Sequence, residues 1–161
     1  LEQEIANQSE LGLRIAAQVE KGELVPDEIV VQLIEKRLSE SPNVKGFIFK
    51  GYPRTLVQSY ILDGLLRKHG SGVSCIIDIE TPMLELITRL DERLQTSRCK
   101  SYDQSAAQIV KRLKEHETKT VPVIEKYEQQ HGVIKIDGMG TMDEVYSRIC
   151  TAIEQSARHI R

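Results

Sequence analysis

Arg54 and Gln58 stand where the sequence predicts that a strand turns abruptly into a helix. The apolar run from Gly46 to Lys50 predicts a short buried strand, and Gly51-Tyr52-Pro53 predicts the turn after it. Ligands of open α/β sheets bind beyond the carboxyl ends of the strands. A planar, permanently charged guanidinium suits a phosphate group there. Arg54 is therefore a candidate phosphate ligand, with a solvated surface arginine as the alternative.

Three further arginines are candidates for anion binding. Arg89 and Arg93 lie four residues apart in a helical pattern and share a face. Like charges at this spacing repel, so either water screens them or an anion lies between them. Arg112 belongs to a helix predicted to start near Asp103 or Ser105, after a polar stretch from Gln95 to Tyr102 that we expect to be a mobile loop.

Apolar segments that alternate with amphipathic helices would position these arginines. The segments Val73–Ile79 and Val133–Ile136 predict two further strands, and Pro122 predicts a bend or break in the long helix between them. This order predicts an α/β fold with a parallel sheet, right-handed crossovers and helices on both faces. Such a sheet usually has about five strands. We therefore expect the missing strands to precede Leu1.

Composition restricts the class of protein. A chain of 161 residues with 40% hydrophobic and 29% charged residues suits one globular domain, and a net charge of −2 argues against nucleic acid as a partner. The three cysteines are scattered without metal-site spacing, and no apolar run is long enough to cross a bilayer. We expect a cytoplasmic protein that has reduced thiols, no metal ligands and no membrane contact.

Four segments, in this order and at this spacing, resemble the adenylate kinase family of nucleoside monophosphate kinases: Lys21–Glu28, Gly46–Gln58, Pro122–Tyr127 and Val133–Gly140. The second is similar to the family signature Gly-Phe-x-x-Asp-Gly-Phe/Tyr-Pro-Arg followed by Gln. The resemblance covers nearly the whole chain and implies a P-loop NTPase-like adenylate kinase core. It divides one domain into monophosphate-binding helices (1–45), core (46–93), a short lid loop (94–104) and core again (105–161).

The resemblance also implies roles for individual residues on the AMP side. Arg54 would contact the phosphate of AMP, and Gln58 would hydrogen-bond its adenine. The main chain near Val25 would line the base pocket. These three positions together would form a monophosphate site.

On the ATP side, the resemblance implies that Arg89 and Arg93 border the transferred phosphoryl group. Arg112 would help to hold the transition-state charge, and Gly140 would belong to the loop that covers the adenine of ATP. Phosphoryl transfer depends mainly on positioning and charge neutralisation, which explains why arginines cluster in such sites.

The sequence departs from the family pattern at four chemical positions. It contains no Gly-x-x-x-x-Gly-Lys phosphate loop, and Glu2 stands where the family has an arginine facing the AMP phosphate. Lys50 replaces the signature aspartate that holds waters on magnesium. At about 5 Å and an effective dielectric constant of about 20, this reverses an interaction of about 6 to 7 kcal/mol. The lid motif is also altered around Arg98, so the resemblance gives Arg98 no role.

These departures predict an adenylate kinase-like domain that is inactive on its own. One alternative is an active enzyme whose phosphate loop lies upstream of this segment. Another is a structural or interaction module that contacts a neighbouring domain or a protein partner. ATP, AMP and Mg²⁺ are expected as ligands only if the family activity is retained.

Overall fold

A computed structural model describes residues 2–21, 23, 25–96 and 106–159. In chain order, the elements of this part are α1 Glu2–Ala6, α2 Glu10–Glu20, α3 Asp27–Ser39, α4 Leu56–Lys68, β1 Ile77–Glu80, α5 Met83–Leu94, α6 Ala106–Glu115, a π-helical turn His116–Thr120, α7 Val121–His131, β2 Ile134–Asp137 and α8 Met142–His159. The predicted loop from Gln95 to Tyr102 falls almost entirely outside the described residues, as do Arg98 and the proposed start of α6.

The two strands pair in parallel, as the alternation of strands and helices predicted. Their register places Ile77 opposite Ile134 and Glu80 opposite Asp137, so both strands end at the same edge of the sheet. Beyond this edge, the Gly138 N–H donates to the Glu80 carbonyl at 2.7 Å. A side chain at Gly138 would clash with the Thr81 hydroxyl, so the two loops that follow the strands require a glycine at their point of contact.

The prediction of a strand at Gly46–Lys50 is wrong for the described structure. This segment is irregular, and Ile48 is 93% exposed. A strand requires a neighbour for its ladder hydrogen bonds, and within the described residues no segment pairs with this one. The predicted strand at Val73–Ile79 is likewise shorter than expected, because pairing with β2 begins at Ile77.

The burial of β1 differs from that expected of a strand covered on both faces. Ile79, the last residue of the apolar segment Val73–Ile79, is 46% exposed. Apolar composition alone indicated a strand buried on both sides. The burial of a strand depends on which elements pack on it, and this is decided by tertiary structure.

Helix α3 joins two apolar cores. Ile29, in its first turn, packs with Ile15 of α2 and with Val25. Leu38, in its last turn, packs with Leu62 and Leu66 of α4. Burial of each such aliphatic side chain contributes about 1.5 to 3 kcal/mol. The two cores therefore fix both ends of α3 relative to its neighbours.

Two local sequence features have a visible effect on the helices. The backbone from Ala106 to His131 stays helical through Pro122 and changes to π-type hydrogen bonding just before this proline, which has no N–H to continue the regular ladder. The pattern from Thr141 to Glu144 has the spacing of a capping box, and this box forms at the start of α8. The Thr141 N–H donates to the Glu144 carboxylate at 2.7 Å, and the Glu144 N–H donates to the Thr141 hydroxyl at 3.3 Å.

Candidate functional site

The turn that precedes α4 holds Arg54 in a fixed position. Gly51 adopts a positive φ of 67°, and its carbonyl accepts a hydrogen bond from Arg54 Nε at 2.8 Å. A Cβ atom at Gly51 would lie 3.0 Å from Arg54 Nη2. Glycine is thus required both for the backbone conformation and for the close approach of the guanidinium.

Gln58, in the first turn of α4, is buried and hydrogen-bonds on both sides of its amide. Its Oε1 accepts from the Arg54 backbone N–H at 2.7 Å, and its Nε2 donates to Asp27 Oδ1, also at 2.7 Å. Thr55 caps the same helix by accepting from the Gln58 N–H at 3.1 Å, and its hydroxyl donates to Asp27 Oδ2 at 3.2 Å. Both oxygens of Asp27 therefore contact the start of α4.

The other side of Arg54 is also fixed, while its guanidinium faces solvent. The Arg54 carbonyl accepts a hydrogen bond from the Thr120 hydroxyl at 3.2 Å, at the end of the π-helical turn. Arg54 is exposed, and among the described residues neither of its Nη atoms has a hydrogen-bond partner. Four of the five guanidinium N–H groups therefore remain for an anion.

The structure brings Arg54 and Gln58 together but spreads the other predicted site residues over separate elements. Val25 is buried in the core with Ile15 and Ile29, two residues before Asp27, whose carboxylate contacts Gln58. Arg89 and Arg93 lie on α5, and Arg112 lies on α6. Arg89 Nε donates to Glu85 of its own helix at 2.7 Å, an arrangement of acid before base that stabilises helices. The roles assigned to these three arginines stay predictions.

Gly140 lies in the loop between β2 and α8 and has a φ of 96°. A Cβ atom there would clash with the Glu144 carboxylate, which caps α8. The pKa of Glu144 is lowered, first by the hydrogen bond from the Thr141 backbone N–H and then by the one from its hydroxyl. Arg148 Nη1 donates to the Asp137 and Met139 carbonyls at 2.7 and 2.6 Å, which fixes the shape of the loop.

The described residues do not fit a magnesium ion at the signature position. Lys50 is exposed and places a positive charge there. In the part of the chain that the structure describes, no group of three or more His, Cys, Asp or Glu side chains is arranged to hold a metal. The side chain of Glu2, the other replacement at a charged position, lies outside the described residues.

A buried polar cluster lies behind the site and joins α4 to α7. Lys126 Nζ donates to Asp63 Oδ2 at 2.6 Å and to the Ser59 hydroxyl at 3.0 Å. Tyr127 donates to the other oxygen of Asp63 at 3.0 Å. Burial, followed by this hydrogen bond and the Asp63 charge, raises the pKa of Tyr127. Lys126 also lies over the Tyr60 ring, 4.3 Å from its centroid.

Sequence reasoning missed Asp27, Thr55 and Thr120 as parts of the site. From sequence alone, Asp27 indicates no more than a carboxylate in the first turn of α3, where it complements the positive end of the helix. Its partners lie 28 and 31 residues further along the chain. No local pattern relates residues at such separations, although Thr55 followed by Gln58 has the spacing of a helix cap.

The described part of the chain thus has a mixed α/β fold with a parallel sheet, several helices and an exposed arginine in the turn before α4. Its sequence matches the pattern of the adenylate kinase family over residues 1–132. The chain belongs to the adenylate kinase family.

Three curated relatives, each named adenylate kinase, cover most of the chain. The protein of Xylella fastidiosa strain M12 is 37% identical over 153 residues, which are 95% of this chain and 81% of the relative. The protein of Maricaulis maris is 41% identical over 147 residues, which are 91% of this chain and 77% of the relative. The protein of Bacteroides thetaiotaomicron is 34% identical over 155 residues, which are 96% of this chain and 81% of the relative. In the described residues, no helix combines the length and apolar character needed to cross a membrane.

Proposed function

We propose that this chain binds AMP at the turn carrying Arg54, and that the 161-residue chain does not by itself transfer a phosphoryl group between ATP and AMP. The single observation that carries the binding proposal is the geometry of Arg54. Its main chain and Nε are fixed by Gly51, Gln58 and Thr120, while its Nη groups face solvent. A guanidinium held in this way binds a phosphate with little loss of conformational entropy.

Two charge replacements and a missing motif argue against turnover by these 161 residues. At the positions that the resemblance assigns to them, Lys50 would oppose a magnesium ion and Glu2 would oppose the phosphate of AMP. The 161 residues include no Gly-x-x-x-x-Gly-Lys loop, whose backbone amides would bind the phosphates of ATP. Phosphoryl transfer depends on positioning and charge neutralisation, and these replacements weaken both.

A second candidate is an active adenylate kinase whose phosphate loop lies in a preceding segment of a longer chain. The identity of 37% to 41% with relatives named adenylate kinase favours it. The two candidates share the AMP site and differ in turnover.

Binding is tested by titrating the 161-residue chain with AMP in low salt. Arg54→Ala should weaken AMP binding about 10- to 100-fold, as loss of charge-assisted hydrogen bonds would. Arg67→Ala is the matched control, because Arg67 is an exposed arginine of α4 whose Nε is bonded to the Asp63 carbonyl of its own helix. Equal effects of the two variants would contradict a phosphate site at Arg54.

Turnover is tested by a coupled assay for ADP with ATP, AMP and Mg²⁺. We expect no ADP above background from the 161-residue chain. A measurable rate would overturn the proposal of inactivity and favour the second candidate. Absence of AMP binding by the unsubstituted chain would overturn the binding proposal itself.

A further inference from the structure

The carboxylate at the start of α3 is bonded to the start of α4, where the arginine turn ends. Asp27 accepts from Gln58 Nε2 at 2.7 Å and from the Thr55 hydroxyl at 3.2 Å. Gln58 in turn accepts from the Arg54 N–H at 2.7 Å. One continuous chain of hydrogen bonds therefore runs from a carboxylate of one helix, through a buried amide, to the backbone of the candidate phosphate ligand.

We infer that Asp27 is a positioning residue for Arg54, acting through the side chain of Gln58. The inference deepens the proposed AMP site and depends on that function. It gives Gln58 a task beyond its predicted contact with adenine, because its carbonyl oxygen is already directed at the Arg54 N–H.

The packing of α3 explains how Asp27 is able to hold Gln58. Val25 and Ile29, on either side of Asp27, are both buried in the core that α2 shares with α3. Asp27 is therefore attached to a fixed backbone, and its carboxylate orients the Gln58 amide with the oxygen towards Arg54. Without this acceptor, the amide would leave a buried donor unsatisfied and would rotate or shift to pair it.

The inference separates phosphate recognition from base recognition. If Asp27 acts through Arg54, its loss weakens binding of any ligand that carries the phosphate, with or without adenine. If Gln58 and Asp27 serve the base alone, only ligands that contain adenine are affected. AMP, ribose 5-phosphate and adenosine are therefore the three probes that distinguish the two roles.

The test compares Asp27→Asn and Asp27→Ala with Glu28→Gln in the 161-residue chain. Asparagine keeps one acceptor oxygen for two donors, and alanine keeps none. Glu28→Gln removes the same charge one position away, at an exposed side chain. Binding is followed by backbone amide chemical shifts, which report affinities down to the millimolar range, and hydrogen exchange of the Arg54 amide is measured in each variant without ligand.

We expect Asp27→Ala to weaken binding of AMP and of ribose 5-phosphate by the same factor of about tenfold, and Asp27→Asn by a smaller one. Adenosine binding should change less than twofold. The Arg54 amide should exchange its hydrogen faster in both Asp27 variants, and its exchange rate should be unchanged in Glu28→Gln. In an Arg54→Ala background, Asp27→Asn should have no further effect on AMP, because the two positions act as one unit.

Three results would overturn the inference: an unchanged Arg54 amide, a loss confined to AMP and adenosine, or an additive effect in the Arg54→Ala background. Failure of the unsubstituted chain to bind any of the probes would instead overturn the proposed function. The exchange of the Arg54 amide would still decide whether Asp27 holds this turn. If Asp27→Ala does not fold, the Asp27→Asn variant supplies the same comparison.

Discussion

Tyr52 links the arginine turn to the interior. Its hydroxyl is 3.5 Å from the Gln58 carbonyl, and its ring packs beside Phe49 at a centroid distance of 6.2 Å. Burial, and then the nearby charge of Asp27, raises the pKa of Tyr52 to about 12. The phenol therefore stays neutral in the folded protein at pH values where an unfolded tyrosine, with a pKa of about 10, is already ionised.

This difference predicts a loss of stability in alkali. Because the folded-state pKa is the higher one, the stabilisation is complete below pH 10 and is lost as the pH rises from about 10 to about 12. The contribution of Tyr52 over this window is at most about 2 kcal/mol, since the ring is only partly buried. Urea unfolding of Tyr52→Phe should show a weaker decline over these pH values than that of the unsubstituted chain.

Tyr60→Phe is the control, because Tyr60 is an exposed tyrosine of α4. Its unfolding free energy should follow that of the unsubstituted chain between pH 10 and 12. If the free energy of unfolding of Tyr52→Phe fell as steeply with pH as that of this control, Tyr52 would have no raised pKa in the folded protein.

At the scale of elements, the cluster behind the arginine turn fixes α7 against α4. Lys126 and Asp63 form an ion pair at 2.6 Å with side chains only 7% and 20% exposed. The remaining polar atoms are satisfied by Ser59 and Tyr127. A buried pair with this many partners is costly to break from one side, because the remaining charge is left without compensation. Because Thr120 directly precedes α7, the ion pair also helps to hold the Thr120 hydroxyl against the Arg54 carbonyl.

Asp63→Ala should therefore lower the free energy of unfolding by about 3 kcal/mol or more. Replacing both members, as in Asp63→Leu with Lys126→Met, should cost less than the sum of the single replacements, because no charge remains unpaired. Urea unfolding measures each value. Lys68→Ala is the control, since its pair with Glu35 is 69% and 43% exposed and should matter by less than about 1 kcal/mol. Equal costs for the buried and exposed pairs would contradict this account.

At the scale of the whole molecule, activity requires several charged positions to act together. Lys50 is one replacement among several, and no single reversal supplies the phosphate loop that the 161 residues do not include. The division into monophosphate-binding helices, core and lid also stays a prediction. The proposed lid and the side chain of Glu2 lie outside the described residues.

Lys50→Asp alone should therefore leave the 161-residue chain without measurable turnover. The coupled assay for ADP measures this, with Lys45→Asp as a control that reverses a charge in the neighbouring loop. Rescue of activity by Lys50→Asp, but not by Lys45→Asp, would show that Lys50 is the decisive replacement. The proposed inactivity would then reduce to a single electrostatic cause.

The sequence by itself determined the features that depend on neighbouring residues. Apolar residues at helical spacing predicted the helices, and the pattern from Thr141 to Glu144 predicted the cap of α8. Gly51-Tyr52-Pro53 predicted the turn that presents Arg54. Motif order predicted the family. All of these are properties of short segments or of their order along the chain.

Only the tertiary structure decided which distant residues meet. Asp27 contacts Gln58 across 31 positions, Lys126 contacts Asp63 across 63, and Thr120 contacts Arg54 across 66. The predicted strand at Gly46–Lys50 was wrong for the same reason, since a strand forms only where a second strand supplies ladder hydrogen bonds. Local propensity identifies the arginine, but its fixed position results from hydrogen bonds between helices that only folding brings together.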